Sequence, residues 1–235
     1  MKKFDVDILP QPTDSTCGPT SLHAVYTYYG DDIPLQDVID EVHYLENGGT
    51  LAVYLAIHSL KRGYQAEIGT YNLSLFDPTW FNNHETNLIK KLKDQLVYKQ
   101  DDRMQNATQA YLDFLELGGR VFQKELTPNL LKRYLHKSVP ILTGLSATYL
   151  YQTAREYCNI KCRYDDIKGE PVGHFVILSG YSTGLKFVTV TDPFFENPIS
   201  GSHVYDVDIQ RLINAILLGI VTYDANILII RPPSR

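Results

Sequence analysis

Two strand-like runs, residues 172–181 and 186–193, lie close together in the second half of the chain and constrain how it folds there. Both runs are rich in β-branched and aromatic residues, and the four residues between them, Ser-Thr-Gly-Leu at 182–185, form a turn signal. The pattern therefore predicts an antiparallel hairpin centred near residue 183.

The predicted hairpin places a histidine and an aspartate opposite each other. Residues equally far from the centre of a hairpin face each other, and His174 and Asp192 each lie nine residues from position 183. A carboxylate beside an imidazole holds the ring in one tautomer and stabilises its charged form. We therefore expect His174 to act as a general base that Asp192 orients.

A cysteine stands at the predicted start of the first helix, within the sequence Gln-Pro-Thr-Asp-Ser-Thr-Cys-Gly at residues 11–18. Apolar residues follow at the spacing of one helical face, at Leu22, Val25, Tyr26 and Tyr29. The unpaired N–H groups and the dipole of a helix start favour the thiolate form of Cys17, which is the nucleophile. Gln11 lies six residues upstream and can return a side-chain amide to the same place as an oxyanion donor.

The order Gln11, Cys17, His174, Asp192 resembles that of papain-like cysteine peptidases, and the local sequence resembles the C39 branch more closely. The matching pieces are residues 11–18, the helix from Pro19 to Gly30, the turn Gly48-Gly49-Thr50, the strand start Gly173-His174-Phe175 and the pair Asp192-Pro193. C39 peptidases are best known for cleaving double-glycine leader peptides and usually form the cytoplasmic N-terminal domain of ABC exporters. No transporter follows in this sequence, so we expect a stand-alone member.

The resemblance implies an α+β, papain-like cysteine proteinase fold. Its N-terminal helical part carries the nucleophile, its mostly antiparallel sheet carries His174 and Asp192, and the active site lies in the groove between them. Periodicity agrees with this plan, since it predicts helices at about 17–29, 50–62, 146–156 and 209–218 and strands at about 139–145, 203–207 and 226–230.

These residues predict a cysteine peptidase-like hydrolase that cleaves an amide or peptide bond through a Cys-His-Asp triad and an acyl-thioester intermediate. Two alternatives stay open: an acyl transferase or transpeptidase that uses the same triad, and a non-catalytic peptide-binding module. The residues do not separate hydrolysis from transfer, because that outcome depends on whether water reaches the thioester. The expected substrate is a peptide or a small amide, and no cofactor is needed.

Composition restricts the class of protein further. With 235 residues the chain can bury a full core, and its net charge of −5 without a Lys/Arg cluster argues against nucleic acid as a partner. The N-terminus lacks the apolar segment of a signal peptide, and no stretch reaches the roughly 20 apolar residues of a membrane span. We therefore expect a cytoplasmic protein; its oligomeric state is left open.

The chain has three cysteines, an odd number that argues against a disulfide framework and for a reducing compartment. Cys158 and Cys162 are therefore predicted to be two ordinary thiols. A zinc site at this pair is disfavoured because a structural zinc normally needs four ligands and no second pair exists. The sequence thus predicts no metal.

A long middle segment, about residues 72–136, has no counterpart in the leader peptidases. It carries two amphipathic helical patterns, one through Leu88, Leu92 and Leu96 and one through Ala107, Tyr111 and Phe114. No Gly/Ser- or Pro-rich linker flanks it. We therefore predict one papain-like domain over residues 1–235, in which this segment is a helical elaboration at one end of the groove.

Overall fold

The computed structural model of the protein describes residues 1–45, 48–83, 85–159, 162–222 and 224–233. In this part of the chain the helices are α1 (Cys17–Tyr28), α2 (Leu35–Glu41), α3 (Ala52–Lys61), α4 (Leu88–Leu96), α5 (Asp102–Glu116), α6 (Pro128–Leu135), α7 (Ala147–Tyr151) and α8 (Ile209–Leu218). The strands are β1 (Lys2–Lys3), β2 (Gln65–Thr70), β3 (Arg120–Phe122), β4 (Ile141–Ser146), β5 (Glu156–Cys158), β6 (Cys162–Tyr164), β7 (Gly173–Tyr181), β8 (Phe187–Thr191), β9 (Val204–Asp208) and β10 (Asn226–Arg231).

One large sheet forms the centre of the fold. Its strand order is β3-β2-β10-β4-β7-β8-β9, and β1 pairs with β7 in addition. Within the described residues, neighbouring strands of this sheet are antiparallel except β2 and β3, which are parallel. The expectation of a mostly antiparallel sheet is therefore confirmed.

The sheet is buried on both faces, which explains why its central strands read as continuous apolar runs. Along β7, Phe175 and Ile177 belong to a core shared with α1, α3 and α5, whereas Val176 and Leu178 belong to a second core shared with α6 and α8. The strand that begins beside His174 is thus held between two packed layers.

The first turn of α1 packs against the start of β7. Ser21 Oγ donates to the carbonyl oxygen of Phe175 at 3.3 Å. A Cβ atom at Gly18 would lie 2.7 Å from a methyl of Thr50 and 3.2 Å from the Phe175 ring. Only a residue without a side chain allows this close approach, so the glycine after Cys17 brings the start of α1 next to the strand that carries His174.

The middle segment contributes to the main core and to the sheet. In α5, Tyr111 and Phe114 are buried in the same core as Leu22 of α1 and Leu55 of α3, and β3 adds a parallel edge strand beside β2. Arg103 of α5 also donates to the carbonyl oxygen of Thr222 at 3.0 Å. These contacts support one domain over residues 1–235, which stays a prediction.

The prediction of two ordinary thiols at Cys158 and Cys162 is wrong. The predicted helix at 146–156 ends at Tyr151, because Gln152 takes a left-handed conformation with φ of 56°. The chain then forms the β5–β6 hairpin, in which Cys158 and Cys162 are strand partners joined by a disulfide. Cys17 is the free cysteine of the described chain, so the inference from free thiols to a reducing compartment loses its support.

No helix in the described part of the chain combines the length and the apolar character that a bilayer crossing requires.

If residues 72–136 share one core with the rest of the chain, a cavity in this segment must weaken the whole molecule. Phe114 is fully buried, and Phe114→Ala is expected to lower the free energy of unfolding by about 3–5 kcal/mol. The loss should occur in a single denaturant transition, followed by fluorescence and by circular dichroism. Leu117→Ala is the control, because Leu117 ends the same helix but is 46% exposed. Two separable transitions, or proteolytic release of a folded fragment over 72–136, would show an independent domain.

Candidate active site

Cys17 is the first residue of α1, and its side chain is buried at one wall of a cleft. The preceding loop is held by its own polar groups: the hydroxyl of Thr16 donates to the Thr13 carbonyl oxygen at 2.9 Å, and the Thr13 N–H donates back to that hydroxyl at 3.0 Å. The thiol therefore lies beside the free N–H groups of a helix start, as the sequence predicts.

His174 and Asp192 form a buried pair. Nε2 of His174 lies 2.8 Å from Oδ1 of Asp192, with side chains 8% and 0% exposed. His174 begins the inner run of β7 and is paired with Leu145 of β4. Asp192 directly follows β8, and its N–H donates to the carbonyl oxygen of His203 at 2.8 Å. Two neighbouring strands thus bring the predicted histidine and aspartate together.

The predicted register of the hairpin is wrong, although the side chains meet. Tyr181 pairs with Val188, Ile177 pairs with Thr191, and the register shifts between Leu178 and Gly180. Asp192 therefore lies beyond the end of β8 and is not the strand partner of His174. The main cause is the turn, which is centred between Gly184 and Leu185 instead of at residue 183; the extra residue in β7 near Ser179 moves the register one position back towards the predicted one.

The ring of His174 links the carboxylate to the thiol. His174 and Cys17 line the same cleft, and their side chains interact electrostatically; since Nε2 is bound to Asp192, Nδ1 is the nitrogen left for the sulfur. Burial alone lowers the pKa of His174, but the charges of Asp192 and of the Cys17 thiolate outweigh it and raise that pKa to about 10. This electrostatic setting favours the imidazolium form of His174.

The Asp192 carboxylate accepts four hydrogen bonds. Oδ1 accepts from Nε2 of His174 and, at 2.9 Å, from the N–H of Phe194. Oδ2 accepts from the hydroxyls of Tyr151 at 2.8 Å and Tyr205 at 2.7 Å. Burial raises the pKa of Asp192, but His174 and these donors outweigh it and hold the pKa below its ordinary value. Sequence reasoning missed the role of both tyrosines, since no spacing motif connects them with Asp192.

Gln11 is bonded to the residue that follows Asp192. Its backbone N–H donates to the carbonyl oxygen of Pro193 at 3.0 Å. Its side-chain Nε2 donates to the Thr13 carbonyl oxygen at 3.0 Å, and its Oε1 is buried without a hydrogen-bond partner among the described residues. Gln11 and His174 line the same cavity. One N–H of the amide remains for another acceptor.

The cleft has two lobes that share His174, Gly173 and Asp14. The first, about 230 Å³, begins at Cys17 and includes Arg103 of α5; we term it the Arg103 lobe. The second, about 130 Å³, is lined by Gln11, Tyr151 and the β5–β6 hairpin residues Glu156 and Tyr164; we term it the hairpin lobe. Substrate can therefore extend on both sides of the His174 ring.

A buried carboxyl group that sequence reasoning missed lines the Arg103 lobe. Both oxygens of Asp224 accept from the N–H of Ala52 at 3.1 Å, which supplies the cap that Leu51 does not give to α3. Asn226 donates a further hydrogen bond. Burial raises the pKa of Asp224 from 3.8 to about 7, despite these donors and the charge of Arg103.

One group of donor atoms in the described chain has the compactness of a metal site. It consists of Glu156, Cys158 and Cys162, whose atoms lie within 4.8 Å of one another. The two sulfurs are bonded to each other in the disulfide, so they do not supply the thiolates that zinc binds.

Comparison with known proteins identifies the family. The sequence profile of the Peptidase_C39 like family matches residues 3–215, and the chain belongs to this family. A solved C39-like peptidase from Bacillus anthracis is similar with a TM-score of 0.54 and 13% identity over 100% of both chains. The peptidase domain of Streptococcus ComA, a bifunctional ABC transporter involved in a quorum-sensing pathway, has a TM-score of 0.46 and 14% identity over 97% of this chain and 99% of that one.

No curated protein sequence matches the chain. The family match and the Bacillus structure confirm the expected papain-like fold of the C39 type, and they support a function of the peptidase type.

The raised pKa of Asp224 predicts a pH-dependent cost to stability. Because the folded pKa of about 7 lies above the ordinary 3.8, the favourable contribution of the protonated group is complete below pH 3.8 and is lost as pH rises through 7. Asp224→Asn, which stays neutral, should match the wild type near pH 4 and exceed it at pH 8 by a free energy of unfolding on the order of a few kcal/mol.

Urea unfolding at three pH values between 4 and 8 measures this difference. Asp206→Asn is the control, since Asp206 is exposed and shows no such burial. If the free energies of unfolding of Asp224→Asn and the wild type differed by the same amount at every pH, the raised pKa of Asp224 would be contradicted.

Proposed function

We propose that the protein is a cysteine hydrolase that cleaves an amide or peptide bond with Cys17, His174 and Asp192. The observation that carries the proposal is the position of the His174 ring, which is hydrogen-bonded to the fully buried Asp192 and lines one cleft together with Cys17, at the point where the two lobes of that cleft meet. A nucleophile, a base and a group that orients the base are the parts that thiol catalysis requires.

In the first step, the Cys17 thiolate attacks the carbonyl carbon of the scissile bond. The developing oxyanion accepts hydrogen bonds from the backbone N–H of Cys17 and from the remaining side-chain N–H of Gln11. The C–N bond then breaks as His174 passes its proton to the leaving nitrogen, which leaves the acyl group on the sulfur as a thioester.

In the second step, the neutral His174 ring takes a proton from water, and the resulting hydroxide attacks the thioester carbonyl. The C–S bond breaks, the acid product leaves, and the thiolate–imidazolium pair is restored. Asp192 keeps its charge throughout and stabilises the imidazolium each time it forms.

The proposed substrate is a peptide or a peptide-like amide, because the two lobes provide room on both sides of the reacting carbonyl. Acyl transfer to an amine or a thiol shares the first step and differs only in what attacks the thioester. The cytoplasmic location remains a prediction.

The test uses a library of peptide coumarin amides together with intact-mass analysis after acid quenching. Cys17→Ala should abolish both turnover and the acyl adduct, and His174→Ala should lower the turnover number by about 10²–10⁴-fold. Asp192→Asn should lose less, since an amide oxygen still accepts from the ring but stabilises the imidazolium poorly. Addition of a glycine amide as a competing nucleophile distinguishes transfer from hydrolysis by product mass.

His136→Ala is the matched control. His136 is bonded to Tyr181 at the other end of β7, so its loss should leave turnover unchanged. Wild-type turnover in Cys17→Ala, or an acyl adduct on another residue, would refute the mechanism.

A further inference from the structure

Two phenols converge on the oxygen of Asp192 that does not face His174. Tyr151 ends α7 and Tyr205 lies in β9, so they approach Oδ2 from different elements of the fold. Both hydroxyls lie within 2.8 Å of that oxygen. Two separate elements thus contribute a donor to one atom.

Both phenols are held in the form that donates. Burial, followed by the negative charge of Asp192, raises the pKa of Tyr151 and of Tyr205 far above the ordinary value for tyrosine. Each therefore keeps its proton over the working pH range. An ionised carboxylate only accepts hydrogen bonds, and each of the four groups bonded to Asp192 can donate one.

This arrangement compensates for the burial of the carboxylate. Asp192 is 0% exposed, and a buried charge is costly unless donors replace its water. Among the described residues, its ion-pair partner is His174 rather than a lysine or an arginine. The neutral donors must therefore provide the stabilisation of the buried charge that a lysine or an arginine would otherwise give.

The phenols also fix where the acid points. With Oδ2 occupied by two hydroxyls, Oδ1 is the oxygen that receives Nε2 of His174, and the ring presents Nδ1 towards Cys17. The Tyr151 ring additionally lies against the His174 ring, with centroids 6.1 Å apart, and against Phe194 at 6.4 Å. A shift of either phenol would therefore change the angle at which His174 meets the thiol.

We propose that Tyr151 and Tyr205 are positioning residues of the thiol site: they hold Asp192 ionised and aimed at His174 and thereby set the pH range over which the thiolate–imidazolium pair exists. This inference rests on the proposed function, because it assigns the two phenols a role in that same site. The hydroxyls of both residues bond to Asp192 and act on His174 through it.

The direction of the effect follows from the charges. Loss of a phenol donor destabilises the Asp192 carboxylate and raises its pKa, so the carboxylate holds the thiolate–imidazolium pair less firmly and less thiolate is present at mildly acidic pH. The weaker carboxylate stabilises the imidazolium less, so the alkaline limit set by His174 moves downward. In the described chain, the other charged or titratable groups around the pair include Cys17, Asp14, Tyr44, Arg103, Glu156, His203 and Asp224, and they are the same in every variant.

The experiment measures the rate of Cys17 alkylation by iodoacetamide between pH 4 and 11 without reductant, so that the disulfide stays closed. Tyr151→Phe and Tyr205→Phe should each lower the rate at pH 6 by about five- to tenfold, with a larger loss in the double variant, whereas near pH 11 all rates should converge because the thiolate then persists without an imidazolium partner. Tyr181→Phe is the matched control, since it removes a tyrosine hydroxyl bonded to His136 instead, and its profile should equal that of the wild type.

A second set of variants separates positioning from mere packing. In an Asp192→Asn background, adding either Tyr→Phe change should alter the rate by no more than about twofold, because the group through which the phenols act has lost its charge. The full loss persisting in that background would overturn the proposal, as would wild-type pH profiles in both single variants. If Tyr205→Phe fails to fold, the same alkylation measurements on Tyr151→Phe, at a partly exposed position, still test the proposal.

Alkylation needs no substrate, so this outcome is independent of the proposed function. Lowered alkylation rates at pH 6 in the Tyr→Phe variants, without turnover of any peptide by the wild type, would refute the hydrolase and leave the phenol role standing. Peptide turnover by the wild type, with unchanged alkylation profiles in the Tyr→Phe variants, would refute the phenol role and leave the hydrolase standing.

Discussion

The contact between Nε2 of His174 and the buried carboxylate of Asp192, at 2.8 Å, is the interaction on which the rest of the site depends. A carboxylate without solvent exposure persists in its charged form only where partners replace water. Here the backbone holds it as well, because Asp192 and His203 exchange two hydrogen bonds of 2.8 and 2.7 Å. The charge fixed in this way raises the pKa of His174 beside the thiol.

The fold brings the nucleophile to that pair through one helix–strand contact. Gly18 lets the start of α1 approach Phe175 of β7, and β7 is packed on both faces. A second link runs through the loop before α1, where Gln11 is bonded to Pro193 directly after the acid. The segments that carry the four candidate residues are therefore held together next to those residues, at Gly18 and at Pro193.

Much of this arrangement could be predicted from the sequence, because periodicity and residue order are local signals. The helix predicted at 209–218 is α8 at Ile209–Leu218, and the strand predicted at 226–230 is β10 at Asn226–Arg231. Residue types and order were also enough to select His174 and Asp192, which the structure brings into contact.

The failures have physical causes of longer range. The turn between β7 and β8 is centred after Gly184 and not at residue 183, which displaces the hairpin register. A polar stretch with three-residue strands gave no sign of the β5–β6 hairpin that closes the disulfide. The contacts of Asp192 with Tyr205 and of Asp224 with Ala52 join segments whose proximity only the complete sheet determines.

The central claim is that Asp192 holds His174 as an imidazolium at neutral pH, and nitrogen NMR of the histidine ring tests it most directly. The resonances of His174 are identified by their absence from a His174→Gln variant. The account predicts that both ring nitrogens of His174 carry protons at pH 7 and that the ring titrates with a pKa near 10, with a clear fall of that pKa in Asp192→Asn. A neutral ring at pH 7, titrating like a free histidine near 6.5, would contradict it.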